Sequence, residues 1–119
     1  MKEAFNISPF SLPSTNKNKK FMKAVFIVFD QGFYQQILES LYVNHHVRGF
    51  TSWEQVKGRG SKTGEPHYGS HAWPSLNSAI ITVVSDEKVQ PILEELRALD
   101  ATSDVMGIRA FVWTIEDGM

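Results

Sequence analysis

Three short runs of this chain consist almost wholly of aliphatic, β-branched and aromatic residues. They are Ala24-Val-Phe-Ile-Val-Phe29, Ala79-Ile-Ile-Thr-Val-Val84 and the segment 108–115, which holds Phe111, Val112 and Trp113. Each is short and bounded by turn or cap residues, so each reads as a strand rather than a helix. Successive strand side chains point to opposite faces of a sheet, and in these runs both alternating sets are apolar. A sheet built from them needs cover on its front and on its back.

The rest of the chain offers two helices for that work. Phe33, Ile37 and Leu41, with Tyr34, Leu38 and Tyr42 beside them, recur at four-residue spacing and predict a helix over 32–47. Arg48-Gly49 follows, and glycine most easily takes the left-handed conformation that ends helices. Val89, Ile92, Leu93, Leu96 and Leu99 form a second stripe, and Ser85-Asp86-Glu87 ahead of it supplies a cap and first-turn acids. Phe50, Thr51, Trp53 and Val56 suit a further strand near a sheet edge.

The order strand, helix, strand, strand, helix, strand is that of an α+β ferredoxin-like βαββαβ sandwich, with a four-stranded antiparallel sheet and two helices on one face. Two helices cover only one face, so the other leaves Val, Ile, Phe or Trp side chains in water unless something shelters it. Another copy of the same chain is the simplest candidate. Trp53 and Trp113, lying inside strand patterns, are expected in the core.

The chain has 119 residues, enough for one domain. Residues 1–21 are expected to be a flexible tail and 22–119 the domain; Met22 could be a natural start. The 12 basic and 13 acidic residues give a net charge of −1 without a large basic footprint, which argues against nucleic-acid binding. Absence of cysteine excludes disulfides, thiolate metal sites and a cysteine nucleophile, and it fits the cytoplasm. No apolar run approaches the ~20 residues of a membrane span, and the first residues lack the pattern of a secretory signal.

Between the second and third strands lies Gly58-Arg-Gly-Ser-Lys-Thr-Gly-Glu-Pro-His-Tyr-Gly69, part of a loop over 58–75 dense in Gly and Pro. Its Gly-Arg start, Gly-then-Glu step and Tyr-Gly close resemble the mobile, ligand-responsive loop of the PII signalling proteins, and the element order matches that family over 22–116. The resemblance implies a trimer. It also implies small effectors, usually adenine nucleotides, bound in clefts between subunits, and a loop that docks on a target such as a transporter or an enzyme. The chain looks more like the divergent PII-like branch than a nitrogen regulator proper. The family's phosphate-gripping pattern, Thr-Gly-x-x-Gly-Asp-Gly-Lys, is here Asp100-Ala-Thr-Ser-Asp-Val-Met-Gly107, which keeps one Gly and no Lys. Tyr68 is one place out of step with the Glu-Leu-Tyr-Arg-Gly pattern modified in some members, so no modification is expected.

Lys57, Arg59 and Lys62 stand among Gly58, Gly60 and Gly64, where backbone N–H groups and cations can approach a phosphate or carboxylate. With Gly107 and Arg109, the cation near the start of the last strand, Lys57, Gly58, Arg59, Gly60 and Lys62 form the candidate effector site. A solvated loop would have the same composition. Tyr68 and Trp73 are candidate partner contacts on the loop, and Phe50 a further stacking surface. Glu65, His67 and His71 could ligate Zn, Ni or Cu. Pro66 and Gly69 argue against the helix that would align the two rings, and ordinary loop histidines are the favoured reading. His45 and His46 are explained by favourable charge at a helix C-terminus. No nucleophile motif is present, so no enzymatic activity is expected. The leading expectation is a regulatory trimer that senses an anionic effector and acts on a partner protein. The alternative is a metal-tolerance protein resembling CutA in fold, with a divalent metal on the loop histidines.

Overall fold

Nine consecutive residues, Met22–Asp30, form strand β1, which lies inside the sheet, hydrogen-bonded on both sides. The computed structural model describes residues 21–59, 66, 68–69, 76–102 and 107–119. A 3₁₀ turn at Gln31–Phe33 leads into helix α1, Tyr34–Glu39, which continues as a π-helical turn over Ser40–Asn44. Strands β2, Thr51–Val56, and β3, Asn77–Ser85, follow. A second 3₁₀ turn, Asp86–Lys88, opens helix α2, Val89–Asp100, and strand β4, Ile108–Thr114, comes last. The sheet order is β2-β3-β1-β4, antiparallel throughout, as the ferredoxin-like arrangement requires.

Registers assign each side chain to a face. Val25 lies opposite Thr82 and Val112, Ile27 opposite Ile80 and Ala110, and Phe29 opposite Ser78 and Ile108. These residues face the helices, where Val25, Ile27, Phe29, Ile80, Val84 and Ile108 pack with Ile37, Leu41, Val47, Val89, Ile92 and Leu96 in one buried cluster. The α2 stripe is as its periodicity predicts. Two buried hydroxyls on β3 are satisfied by carbonyls at the β2 edge: Ser78 Oγ donates to Glu54 O at 2.5 Å and Thr82 Oγ1 to Gly49 O at 2.6 Å. Ser78 closes an irregularity where three steps along β2, Trp53 to Val56, face two along β3.

The opposite face carries Thr51 and Trp53 of β2, Ala79, Ile81 and Val83 of β3, Ala24, Phe26 and Val28 of β1, and Arg109, Phe111 and Trp113 of β4. No described element covers it. Phe111 is 56% exposed, Trp53 48% and Trp113 47%. The two tryptophans are therefore strand residues, as expected, but they are not core: strand periodicity puts a residue in a sheet without saying which face is covered.

The first helix departs from its sequence reading at its end. His45 N–H donates to Ser40 O at 3.2 Å and Val47 N–H to Leu41 O at 2.9 Å, wider loops than the α-helical bond. The helical run stops at Asn44. The left-handed residue that reverses the chain is His46, with φ 55°, and Gly49 has no positive φ. Ser85 occupies the cap position of the turn before α2, but its hydroxyl donates to the Glu87 carboxylate at 3.0 Å instead of accepting from the backbone.

Candidate functional site

The antiparallel order gathers four strand ends, belonging to three connections, at one end of the sheet. β1 ends there at Asp30, β3 begins at Asn77 opposite it, β4 begins at Ile108 opposite Phe29, and β2 ends at Val56 opposite Asn77. The β1–α1 turn, both ends of the β2–β3 loop and the α2–β4 loop thus share this end.

Main-chain bonds stitch these connections together. Asp30 N–H donates to Gly107 O and Gln31 N–H to Leu76 O, both at 3.0 Å. The Asp30 carboxylate caps the following 3₁₀ turn, its Oδ1 accepting from Gly32 N–H at 2.8 Å. Asp100, the last residue of α2, accepts with its Oδ1 from Gly107 N–H at 2.9 Å and Ile108 N–H at 3.0 Å. The contacts require small residues. A Cβ on Gly107 would lie 3.3 Å from Asp30 Cβ and 3.4 Å from the Phe33 ring, and one on Gly58 would overlap the Asn77 side-chain amide. Gly69 has φ +67°, and a Cβ there would lie 2.7 Å from Leu76 Cδ2.

Of the residues predicted from sequence, Lys57, Gly58, Arg59, Gly107 and Arg109 all lie at this end, and Lys57, Arg59 and Arg109 are exposed. They do not converge in one chain. β2 and β4 are the two edges of the sheet, so Lys57, Gly58 and Arg59 leave one edge while Gly107 and Arg109 stand on the other. Three strand spacings separate them by on the order of 14 Å. Arg109 sits on the uncovered face opposite Val28, and its Nη1 donates to Ile108 O at 3.0 Å. Tyr68 is 37% exposed, and Pro66 beside it in the loop is buried. Gly60, Lys62, Glu65, His67, His71 and Trp73 lie outside the described residues. Among the described residues no three His, Cys, Asp or Glu side chains cluster as metal ligands would, and no helix is long and apolar enough to cross a membrane.

Three participants escaped the sequence reading. Asp30 carries an Asp-x-Gly turn signature, which marked only the end of a strand. Asp100 also left a signal, because an acid in the last helical turn opposes the helix dipole and needs another use. The third, Glu95, lies outside this end, in a cleft of about 410 Å³ between the helices, lined by Gln36, Glu39, Ser40, Asn44 and Thr102. Burial disfavours its charge, but hydrogen bonds from Ser40, from Asn44 Nδ2 at 2.7 Å and from His45 Nε2 at 2.6 Å outweigh that and hold the carboxyl below its usual range. His45 therefore serves as a tie to α2 and not simply as a charge at a helix terminus.

Known proteins agree with this architecture. CPII of Thiomonas intermedia K12, solved with ADP, AMP and bicarbonate, superposes with a TM-score of 0.60 at 19% identity over 80% of this chain and 88% of that one. GlnK of B. subtilis, solved with ATP, gives 0.57 at 23% identity over 81% and 85%. The divalent ion tolerance protein CutA1 of Ehrlichia chaffeensis gives 0.61 at 12% identity over 84% and 86%. At these identities the likeness is one of fold. No curated protein matches the sequence. The family model for the nitrogen regulatory protein P-II matches residues 22–119, nearly the whole described chain, and the chain therefore belongs to the P-II family.

Proposed function

We propose that this protein is a homotrimeric regulator of the PII-like kind that binds a small anionic effector in crevices between subunits and acts on a partner protein through its 58–75 loop. One observation carries the reading. The cations and glycines suited to an anion are divided between the two edges of the sheet at its loop end, next to an uncovered apolar face. Apposition of the uncovered faces of neighbouring copies would bury that surface, at ~2.5 kcal/mol for each 100 Å² of apolar area. It would also bring Lys57 and Arg59 of one copy towards Gly107 and Arg109 of the next, so that assembly makes the site. An adenine nucleotide is the effector class favoured by family membership and by the nucleotides held in CPII and GlnK. The role is regulatory and cytoplasmic, and a membrane transporter is the partner class that the family resemblance favours.

Calorimetric titration of the full chain with ATP, ADP and AMP, each with and without bicarbonate, tests this. Saturable heat from at least one nucleotide, lost in Arg59→Ala/Arg109→Ala, is expected. No heat from any of them removes the effector reading.

A further inference from the structure

On the helix side of the sheet, away from the uncovered face, the cleft between α1 and α2 runs from Glu95 to Thr102 just beyond the end of α2. Its volume of about 410 Å³ lies within the roughly 300–1,000 Å³ of small-molecule sites. Ala98 and Leu99 supply an apolar strip along α2, and Gln36 and Glu39 line the cleft from α1. The polar side is rich in acceptors. In an α-helix residue 45 would point roughly 140° away from residue 40, but the π-helical turn over Ser40–Asn44 brings His45 round, so that Ser40, Asn44 and His45 all bond the Glu95 carboxylate. A carboxylate has about four acceptor positions, and three donors leave one open. Thr102 Oγ1 donates to Leu99 O at 2.7 Å and keeps its lone pairs, while the Glu39 carboxylate is exposed and bonded to no described residue. Among the described residues no Lys or Arg lines the cleft, and α2 ends there with the negative pole of its dipole. Even with His45 protonated, a net negative charge remains.

We infer that this cleft is a binding site for a small organic cation, a free aliphatic amine or guanidine, whose charged head bonds Glu39 and the open position on Glu95 while its hydrocarbon stem lies on Ala98 and Leu99. Charge complementarity selects the head, and the apolar strip selects a stem over a bare metal ion. The several N–H donors of an ammonium or guanidinium meet acceptors from both helices, so the ligand clamps α1 to α2. The site uses nothing of the crevices between copies, and it stands or falls independently of the effector reading.

The test titrates the full chain with putrescine, agmatine and n-butylammonium, with n-butanol and butyrate as the uncharged and anionic counterparts, all at ionic strength matched with sodium chloride. Backbone amide shifts by NMR locate binding, and calorimetry gives affinity. Saturable shifts at Gln36, Glu39, Ala98 and Thr102 are expected from at least one cation and from neither counterpart. Glu39→Gln, at an exposed position, is expected to lower the affinity by about tenfold, the scale of one charge-assisted bond. Ala98→Lys, also exposed, supplies a tethered ammonium and is expected to abolish binding while raising the melting temperature. Shifts that never saturate, or an affinity unchanged in Glu39→Gln, overturn the inference. Binding of Nα-acetyl-lysinamide without binding of the free amines overturns the assignment to a free ligand. Nucleotide titration of the Glu39→Gln variant reports the effector reading separately, and unchanged nucleotide heat beside lost amine binding supports two distinct sites.

Discussion

The two faces of the sheet are made of the same residue types and meet opposite fates. On the helix side Val25, Ile27 and Phe29 are fully buried. One residue over on the same and neighbouring strands, Phe111, Trp113 and Trp53 stand about half exposed. The difference lies in what is available to cover them. Two amphipathic helices shelter one side, and nothing else described in the chain shelters the other. One face therefore accounts for the stability of a single chain, and the other is an apolar surface that the described elements of that chain leave exposed.

The covered face gives the largest expected effect. Phe29→Ala removes a fully buried ring at the centre of the cluster and is expected to cost about 3–5 kcal/mol, read by chemical denaturation at any protein concentration. A similar change on the uncovered face should instead give a loss that disappears on dilution. If both changes act alike at all concentrations, the faces are not distinct.

A second contrast concerns two glycines. Gly69→Ala places a Cβ 2.7 Å from Leu76 at a left-handed residue and should lower stability by about 1–3 kcal/mol. Gly49→Ala meets nothing within 4 Å at a residue without positive φ, and should be neutral or raise the melting temperature slightly. A Gly69 variant as stable as the Gly49 one would show that the loop does not rest on Leu76.

The smallest effect belongs to the tie between the helices. Glu95 titrates below its ordinary value of about 4.3 in the folded chain. Its stabilising contribution is therefore complete above that pH and is lost as pH falls through the lower folded value. Being partly exposed, the pair is worth less than ~1 kcal/mol. Glu95→Gln should flatten this part of a stability profile between pH 6 and pH 3, and an unchanged slope would remove Glu95 from the account.

Much of the fold was legible because its determinants are local. The apolar runs at 24–29, 79–84 and 108–115 lie within two residues of the observed strands, and the α2 stripe packs as its spacing predicts. The end of the first helix was not, because His46 rather than a glycine reverses the chain and a π-helical turn precedes it. Nor was the fate of Trp53 and Trp113, since alternation is symmetric between faces. At the site, glycines and cations around 57–59 and 107–109 could be picked out by composition. The main-chain bonds at Asp30 and Leu76 could not, because they join segments remote in sequence, whereas the local signals at the Asp30 turn and at Asp100, seven and eight residues from its partners, gave no indication of what those carboxylates bind.

The central claim is that the uncovered face holds copies together and that the effector crevices exist only in the assembly. Light scattering across micromolar concentrations tests it most directly. The account predicts about three times the 13.5 kDa chain mass for wild type, and the mass of one chain for a folded Phe111→Asp variant. A stable single-chain species of the wild type, with the same melting temperature at every concentration, would contradict it.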